Sequence, residues 1–378
     1  MSIFLQREFA FFHFKEGVVS LITKRIQNLR AELFTEGNEA ALITSPENRF
    51  YFSGFKGSSG VLLITKEDAY LLTDFRYIDQ AKEEAPFFTV VNHQRKAFPT
   101  VTETIEKHGV KKLGVEFGKM PIQEYKELES LNPKLQIFDS EEAIYKLRMI
   151  KDQGEIESFR KGIAMCDQAF KHSLSFIRPG MSEKELGLEL EFFMRKAGAD
   201  GIKENHVIAS GERSSLPHGQ ATERIIQVGD FVKMDIGAKV NGYYTDFTRT
   251  VVVGEPTDKH VEIYNIVKKA QEVALNAIGP GKVCSELDGL ARGVIAEAGY
   301  GENFGHSLGH SIGLAVHESP AMRATDDTIL QPGMVITVEP GIYIPGFGGV
   351  RIEDFIVITE DGYENLTTAT KELQVIPV

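Results

Sequence analysis

The stretch FVKMDIGAKVNGYYTDFTRTVVV, residues 231–253, decides the fold prediction for the larger part of the chain. Two runs rich in β-branched and aromatic residues flank an Asn-Gly dipeptide at 241–242, which is the strongest short signal for a hairpin with a two-residue turn. Counting back from this turn pairs Asp235 with Thr248 and places Asp246 on the face of Asp235. The two carboxylates would then be diagonal cross-strand neighbours about 7–8 Å apart at Cα. A register slip of one residue would separate them.

A sequence repeat lies around this hairpin. IRPGMSEKELGLELEFFMRKAGADG (177–201) matches IGPGKVCSELDGLARGVIAEAGYGE (278–302) without gaps. Both copies contain a Pro-Gly stop, a helical pattern and an Ala-Gly helix end. The shared residues are Ile177, Pro179, Gly180, Glu185, Leu186, Ala197 and Gly198, which recur as Ile278, Pro280, Gly281, Glu286, Leu287, Ala298 and Gly299. We therefore predict two duplicated halves related by a pseudo-twofold axis, with a site at their seam.

The N-terminal part of the chain alternates strand and helix patterns, and a Ser-Pro-Glu-Asn segment at 45–48 predicts a turn. This alternation predicts an α/β domain at 1–145 with a partly parallel sheet. A charged helical run over 141–174 then opens a second domain at 146–378. The predicted strands are 41–44, 60–65, 69–73, 89–92, 112–117 and 135–138, and the predicted helices are about 17–35, 75–84, 98–108 and 121–130.

Composition narrows the classes of function. The 378 residues carry 54 acidic and 42 basic side chains, so a net charge of -12 disfavours binding to nucleic acid or to anionic membranes. Only Cys166 and Cys284 occur, without a CxxC pattern, which disfavours a disulfide framework and fits a reducing compartment. The apolar N-terminus carries charges and no small-residue cleavage site, and no apolar run is long enough to span a bilayer. These features predict a cytoplasmic protein.

Histidines and acids cluster further along the chain. GHSLGHSIGLAVHES (305–319) contains three histidines among glycines, which argue for a turn entering a strand rather than a helix. Glu339 ends an apolar run in MVITVEPGIY, and Glu353 lies beside Arg351 in GGVRIEDFIVIT. A salt bridge to Arg351 would also explain Glu353. Four carboxylates and an imidazole would suit Mn²⁺, Co²⁺, Fe²⁺ or Zn²⁺ better than a thiolate site would.

These segments resemble the pita-bread metallopeptidases, specifically the Xaa-Pro branch of prolidases and aminopeptidase P. The motifs that carry the resemblance are MDIGAKVNGYYTDFTRT, GHSLGHSIGLAVHE, TVEPGIY and GGVRIED. The resemblance implies an α+β chain, with a C-terminal pita-bread (creatinase/aminopeptidase) fold of pseudo-twofold duplication preceded by a smaller α/β creatinase-like domain. It implies two divalent metal ions, with Mn²⁺ favoured. The implied ligands are Asp235, Asp246, His310, Glu339 and Glu353.

The resemblance also implies roles for residues around the metals. His218, His306 and His317 would orient the scissile carbonyl, stabilise its charge and move protons. His218 lies in SLPHGQ upstream of the first Asp, where spacing alone could not have selected it. Arg351 and Tyr343 would bind substrate.

The implied reaction is hydrolysis of the bond before proline in a short peptide by a homodimeric Xaa-Pro dipeptidase. An aminopeptidase P that acts on longer peptides is the alternative, and a non-catalytic pita-bread binding module is disfavoured because every ligand position is filled. Arg323 is a candidate for recognising the free proline carboxylate of a dipeptide.

Overall fold

A computed structural model describes residues 21–34, 37–203 and 206–378. The N-terminal segment without signal-peptide features, and the predicted start of the first helix, lie outside the described residues. The chain divides into two compact units, Met1–Arg148 and Met149–Val378. No helix in the described part of the chain is long and apolar enough to cross a membrane.

The first unit contains a six-stranded sheet in the order β4-β3-β2-β1-β5-β6. The pairs β1–β5, β3–β4 and β5–β6 are parallel and the other two pairs are antiparallel, so the predicted partly parallel sheet is confirmed. Alternate strand residues such as Leu42, Leu63 and Leu113 pack against Val101 and Leu128 of two helices. The elements are α1 (21–34), β1 (Ala40–Ile43), α2 (Pro46–Ser53), β2 (Val61–Thr65), β3 (Ala69–Thr73), α3 (Ile78–Glu84), β4 (Thr89–Asn92), α4 (Ala97–Lys107), β5 (Lys112–Val115), α5 (Ile122–Leu131), β6 (Gln136–Asp139) and α6 (Glu141–Met149).

The predicted Ser-Pro-Glu-Asn turn is wrong, because this segment begins helix α2. Ser45 is the N-cap, and its hydroxyl accepts from the backbone N–H of Asn48 at 3.4 Å. Pro46 follows in the first turn, where its missing N–H removes no helical hydrogen bond. The helix ends at Gly54, whose φ of 76° is left-handed. Ser, Pro, Glu and Asn are frequent both in turns and in the first turn of a helix, so their turn propensity alone does not show which of the two structures forms.

The predicted single helical run over 141–174 is two helices. The first helix, α6, ends at Met149. Asp152 is the N-cap of the second helix, α7 (Gln153–Phe176), and forms a capping box with Glu155. Helix α8 (Glu183–Lys196) follows α7, and α9 (Asp258–Ala277) is followed by α10 (Cys284–Glu297). The pairs α7/α9 and α8/α10 end at positions 101 residues apart, which is the offset of the sequence repeat.

Each half of the second unit has its own apolar core. Met194, Val232 and Phe247 belong to the first core, and Leu287 and Ile336 belong to the second. The strands are β7 (Gly201–Ile202), β8 (Val207–Ser210), β9 (Phe231–Ile236), β10 (Ala238–Val240), β11 (Tyr243–Tyr244), β12 (Phe247–Val253), β13 (Gly309–Ser311), β14 (Glu318–Met322), β15 (Val335–Val338), β16 (Gly341–Ile344), β17 (Gly348–Arg351), β18 (Asp354–Ile358), β19 (Tyr363–Asn365) and β20 (Gln374–Ile376), with 3-10 turns at Gly211–Ser215 and Gly301–Asn303. The largest sheet of this unit has the order β20-β12-β9-β8.

Candidate metal centre

The hairpin of β9 to β12 has the register that the Asn-Gly turn predicts. Asp235 pairs with Thr248, and the turn residues 241–242 both have left-handed φ angles, 52° and 87°. The hairpin is not one continuous ladder, because β10 and β11 join a different sheet from β9 and β12. The chain bends at Gly237, where a Cβ would lie 2.1 Å from a backbone oxygen of the opposite strand. Asp246 lies in the matching break before β12.

Three buried carboxylates meet beside this bend. Asp235, Asp246 and Glu353 each offer an oxygen within 4.8 Å of the others. Glu353 comes from the second half, in the break between β17 and β18, and its Oε2 accepts from the Thr248 hydroxyl at 2.7 Å. Its Oε1 is buried and has no hydrogen-bond partner among the described residues. A buried anionic oxygen without a donor is unfavourable, and a cation beside it would relieve that.

His310 and Glu339 complete the cluster from β13 and from the end of β15. Nδ1 of His310 donates to the carbonyl of Ser311 at 2.9 Å, which leaves the Nε2 lone pair free for a metal. Nε2 lies 3.3 Å from Glu339 Oε1 and 3.9 Å from Asp246 Oδ2. Thr337 positions both residues, since its hydroxyl accepts from His310 N–H and donates to Glu339. The structure thus brings all five predicted ligands together.

Two buried cations contact the acids. Arg351 pairs with Asp235 Oδ2 and lies 3.7 Å from Glu339 Oε2, so its ion pairs join these acids and not Glu353. Lys203, which the sequence prediction missed, donates from Nζ to both Asp235 and Asp246. Lys203 lies in an irregular segment, where no helical or strand periodicity indicates which way its side chain is directed. Only the pairing of β7 with β10, which is not readable from the sequence, brings it to the acids.

The pKa shifts reveal an excess of negative charge. Burial, together with the neighbouring carboxylates, raises the pKa of Asp246 to about 7 and holds the pKa of Glu353 well above its ordinary value. Burial would also raise the pKa of Asp235, but the charges of Lys203 and Arg351 outweigh it and the pKa is lowered. The positive charges of Lys203 and Arg351 therefore do not neutralise the four carboxylates of the cluster. An oxygen-rich donor set with surplus negative charge and one free imidazole nitrogen fits divalent metal ions.

A chain of hydrogen bonds links Arg351 to one of the predicted catalytic histidines. Arg351 Nη1 donates to the Tyr343 hydroxyl at 3.0 Å, and Tyr343 lies 2.9 Å from His306 Nε2. Nδ1 of His306 donates to the Ser307 carbonyl at 2.8 Å, so Nε2 is the acceptor of the tyrosine proton. Burial lowers the pKa of His306 to about 4, so the ring is neutral near pH 7.

The other two predicted histidines lie at exposed positions. The His317 ring centroid is 4.4 Å from that of His310. Partial burial of its ring lowers the pKa of His317 to about 4. His218 is exposed. Lys233, a second lysine that the sequence did not single out, holds the segment before His218 by donating from Nζ to the Leu216 carbonyl at 2.6 Å.

Comparison with known proteins places this site in a family. Residues 157–360 match metallopeptidase family M24, and residues 25–150 match the creatinase/prolidase N-terminal domain. The Xaa-Pro dipeptidase of Pyrococcus horikoshii is 39% identical, with 94% of this chain and 100% of that protein aligned.

Solved structures show the same relationship. The Xaa-Pro dipeptidase of Bacillus anthracis has a TM-score of 0.91 at 45% identity, covering 94% of this chain and 99% of that one. The X-Pro aminopeptidase of Thermotoga maritima has a TM-score of 0.84 at 39% identity, covering 90% and 98%. The implied combination of a pita-bread domain and a creatinase-like N-terminal domain is confirmed, and the chain belongs to metallopeptidase family M24.

Proposed function

We propose that this chain is an Xaa-Pro dipeptidase, which hydrolyses the bond before a C-terminal proline. The buried cluster of four carboxylates and one imidazole is the observation that carries the proposal, because few protein functions other than metal binding tolerate that much buried negative charge. Relatives named as Xaa-Pro dipeptidases, aligned over nearly their whole length, support the choice of substrate.

Two divalent ions would be held by Asp235, Asp246, His310, Glu339 and Glu353. The family resemblance implies that the two ions would share Asp246 and Glu353, which both belong to the buried three-carboxylate cluster. Oxygen-rich ligation favours Mn²⁺, with Co²⁺, Zn²⁺ and Fe²⁺ as alternatives. When bound, such ions supply an activated water and polarise a carbonyl group.

The chain's own residues would bind the peptide and move protons. When the peptide binds, the Tyr343 hydroxyl would turn from His306 Nε2 to donate to the scissile carbonyl and stabilise its developing charge, with His306 beside it to position that hydroxyl. The nitrogen of proline must take up a proton to leave as a secondary amine when the C–N bond breaks. His317 is neutral, accessible and in contact with His310, so its ring can pass that proton. His218 would assist from the exposed turn.

Action on longer peptides is the second candidate. It is favoured by the X-Pro aminopeptidase of Thermotoga maritima, which is as similar in sequence as one of the dipeptidases. If Arg323 binds the free carboxylate of a C-terminal proline, it would make the enzyme selective for dipeptides. Its side chain is exposed in the turn after β14.

The test combines metal analysis of the purified protein with cleavage of Ala-Pro and of a longer peptide that begins Ala-Pro. We expect about two equivalents of metal and release of proline from the dipeptide. Cleavage of the longer peptide alone would select the aminopeptidase. Metal-free, inactive protein that remains so after incubation with Mn²⁺ would select a non-catalytic binding module.

Further proposals concern the state of the protein. We propose a homodimer, which sedimentation would test, and a reducing cytoplasmic location. The second is supported by Cys166 and Cys284, which are both buried and free.

A further inference from the structure

Lys203 lies at the point where the chain enters the metal centre. It follows β7, whose Gly201 pairs with Lys239 of β10. Its backbone N–H donates to the Gly237 carbonyl at 2.7 Å, and a Cβ on Gly237 would lie 2.9 Å from the Lys203 Cβ. The close approach allowed by this glycine holds the lysine backbone against the bend of the hairpin.

The Lys203 ammonium lies among the carboxylates that we assign to the metals. Nζ donates to Asp235 Oδ1 and to Asp246 Oδ1, and all three side chains are at most 9% exposed. Asp235 and Asp246 also belong to the three-carboxylate cluster with Glu353. A charge at this position offsets the mutual repulsion of the acids, which is strong where water is excluded.

Lys203 differs from Arg351, the other cation of the centre, in how firmly it is held. The Arg351 guanidinium donates to Asp235 and also to the Thr248 hydroxyl, the Pro217 carbonyl and the Tyr343 hydroxyl. Within the described parts of the chain, the Lys203 ammonium donates only to the two aspartates. Arg351 is therefore fixed by its surroundings, whereas the Lys203 ammonium can leave without breaking any other hydrogen bond.

We propose that Lys203 is an internal counter-cation that holds Asp235 and Asp246 in place before metal is bound and is displaced when a divalent ion enters. The inference rests on the proposed metal centre. A divalent ion on the same Asp235 and Asp246 carboxylates would lie close to the ammonium group, and the two cations repel each other strongly where water is excluded. Lys203 therefore stabilises the metal-free protein, and the same interaction weakens its affinity for metal.

The test is the substitution Lys203→Met, which keeps the length of the side chain and removes the charge. We expect the dissociation constant for Mn²⁺, measured by titration calorimetry on the metal-free full chain, to fall about tenfold, because a hydrogen-bonded ion pair no longer has to be broken. Without metal, the melting temperature should fall by about 2–4 °C or more relative to wild type. With saturating Mn²⁺ this difference should shrink.

Lys239→Met is the matched control. Lys239 is half-buried in the adjacent strand β10, and its Nζ bonds to the Tyr244 hydroxyl at 3.1 Å. This substitution removes an equal charge from the neighbouring strand but does not touch the aspartates, so the dissociation constant should stay within about twofold of wild type, the size expected for a charge outside the cluster.

The outcomes separate the two proposals. Unchanged or weaker Mn²⁺ binding by Lys203→Met, with normal binding by wild type, overturns the role of Lys203 and leaves the metal centre standing. Wild type that binds no metal overturns the metal centre itself. Lys203→Gln is the second variant if Lys203→Met does not fold, because its amide still donates to an aspartate. Tighter binding by this neutral variant supports the inference, and unchanged binding refutes it.

Discussion

Helices α8 and α10 occupy corresponding positions in the two halves of the second unit, yet their first residues are anchored differently. Glu183 of α8 is fully buried and accepts from the backbone N–H groups of Ser210 and Thr222. It also pairs with Arg213. Cys284 begins α10 and lies in the apolar core of the second half. The first residue of α8 is thus anchored by charge and hydrogen bonds, and the first residue of α10 by packing.

The difference follows from what each half has to position. The segment between Ser210 and Thr222 contains His218, and Glu183 holds both of its ends. In the second half, His306 and His310 are oriented by the carbonyls of the residues that follow them, and their segment is also held from the second turn of α10, where Asp288 accepts from the Leu308 N–H at 3.0 Å. A duplicated helical frame therefore carries two ways of presenting histidines to one site.

The largest expected effect comes from removing one proposed metal ligand from either half. Asp246→Ala and Glu353→Ala should both lose bound metal and lower kcat/KM more than about a thousandfold, beyond the roughly 10- to 100-fold that loss of an outer-shell partner causes. Metal analysis and Ala-Pro hydrolysis measure the two losses. Glu360→Ala, at an exposed position near the end of β18, is the control. Full activity in a metal-free variant would contradict the mechanism.

The part of the site in the first half could be predicted from the sequence, because neighbouring residues in the sequence determine how its strands pair. The Asn-Gly turn fixes the pairing of Asp235 with Thr248 through the two-residue period of a strand. The repeat likewise marks both helices, since their Pro-Gly and Ala-Gly boundaries are written in the sequence.

The site residues of the second half are harder to predict from the sequence. His310 is one of three histidines among glycines, and what distinguishes it in the fold is its burial and the short distances from its Nε2 to Glu339 and Asp246. Resemblance supplied that choice. Lys203 and Glu183 act through residues 32 and 39 positions away, and no local pattern reports such contacts.

The contrast between the two helix anchors predicts unequal losses of stability. Glu183→Ala leaves the buried N–H of Ser210, the half-buried N–H of Thr222 and the Arg213 guanidinium without this acceptor, and should lower the free energy of unfolding by about 3 kcal/mol. Cys284→Ala removes one buried sulfur atom and should lower it by about 1 kcal/mol. Urea unfolding of the metal-loaded variants measures both values. Equal losses would show that the polar anchor contributes no more than packing.

The hydrogen-bonded pair of the second half gives a smaller effect on activity. Tyr343→Phe removes the hydroxyl between Arg351 and His306, and should lower kcat/KM for Ala-Pro about tenfold. The metal content should stay at the wild-type value, since Tyr343 contacts none of the predicted ligands directly by hydrogen bond. Tyr244→Phe, which removes a hydroxyl bonded to Lys239, is the control and should leave kcat/KM unchanged. Equal effects of the two substitutions would remove Tyr343 from the site.

The smallest expected change in stability comes from the N-cap positions of α8 and α10, one residue before Glu183 and Cys284. Ser182 caps α8, with its hydroxyl accepting from Glu185 N–H at 3.1 Å, whereas Val283 at the matching position of α10 makes no side-chain cap. Ser182→Ala should lower the free energy of unfolding by about 1 kcal/mol. Val283→Ser should change it by less than about 0.5 kcal/mol, because a new cap offsets the apolar contact that is lost. Urea midpoints distinguish the two, and a neutral Ser182→Ala would mean that packing alone holds both helix starts, despite the difference between Glu183 and Cys284 beside them.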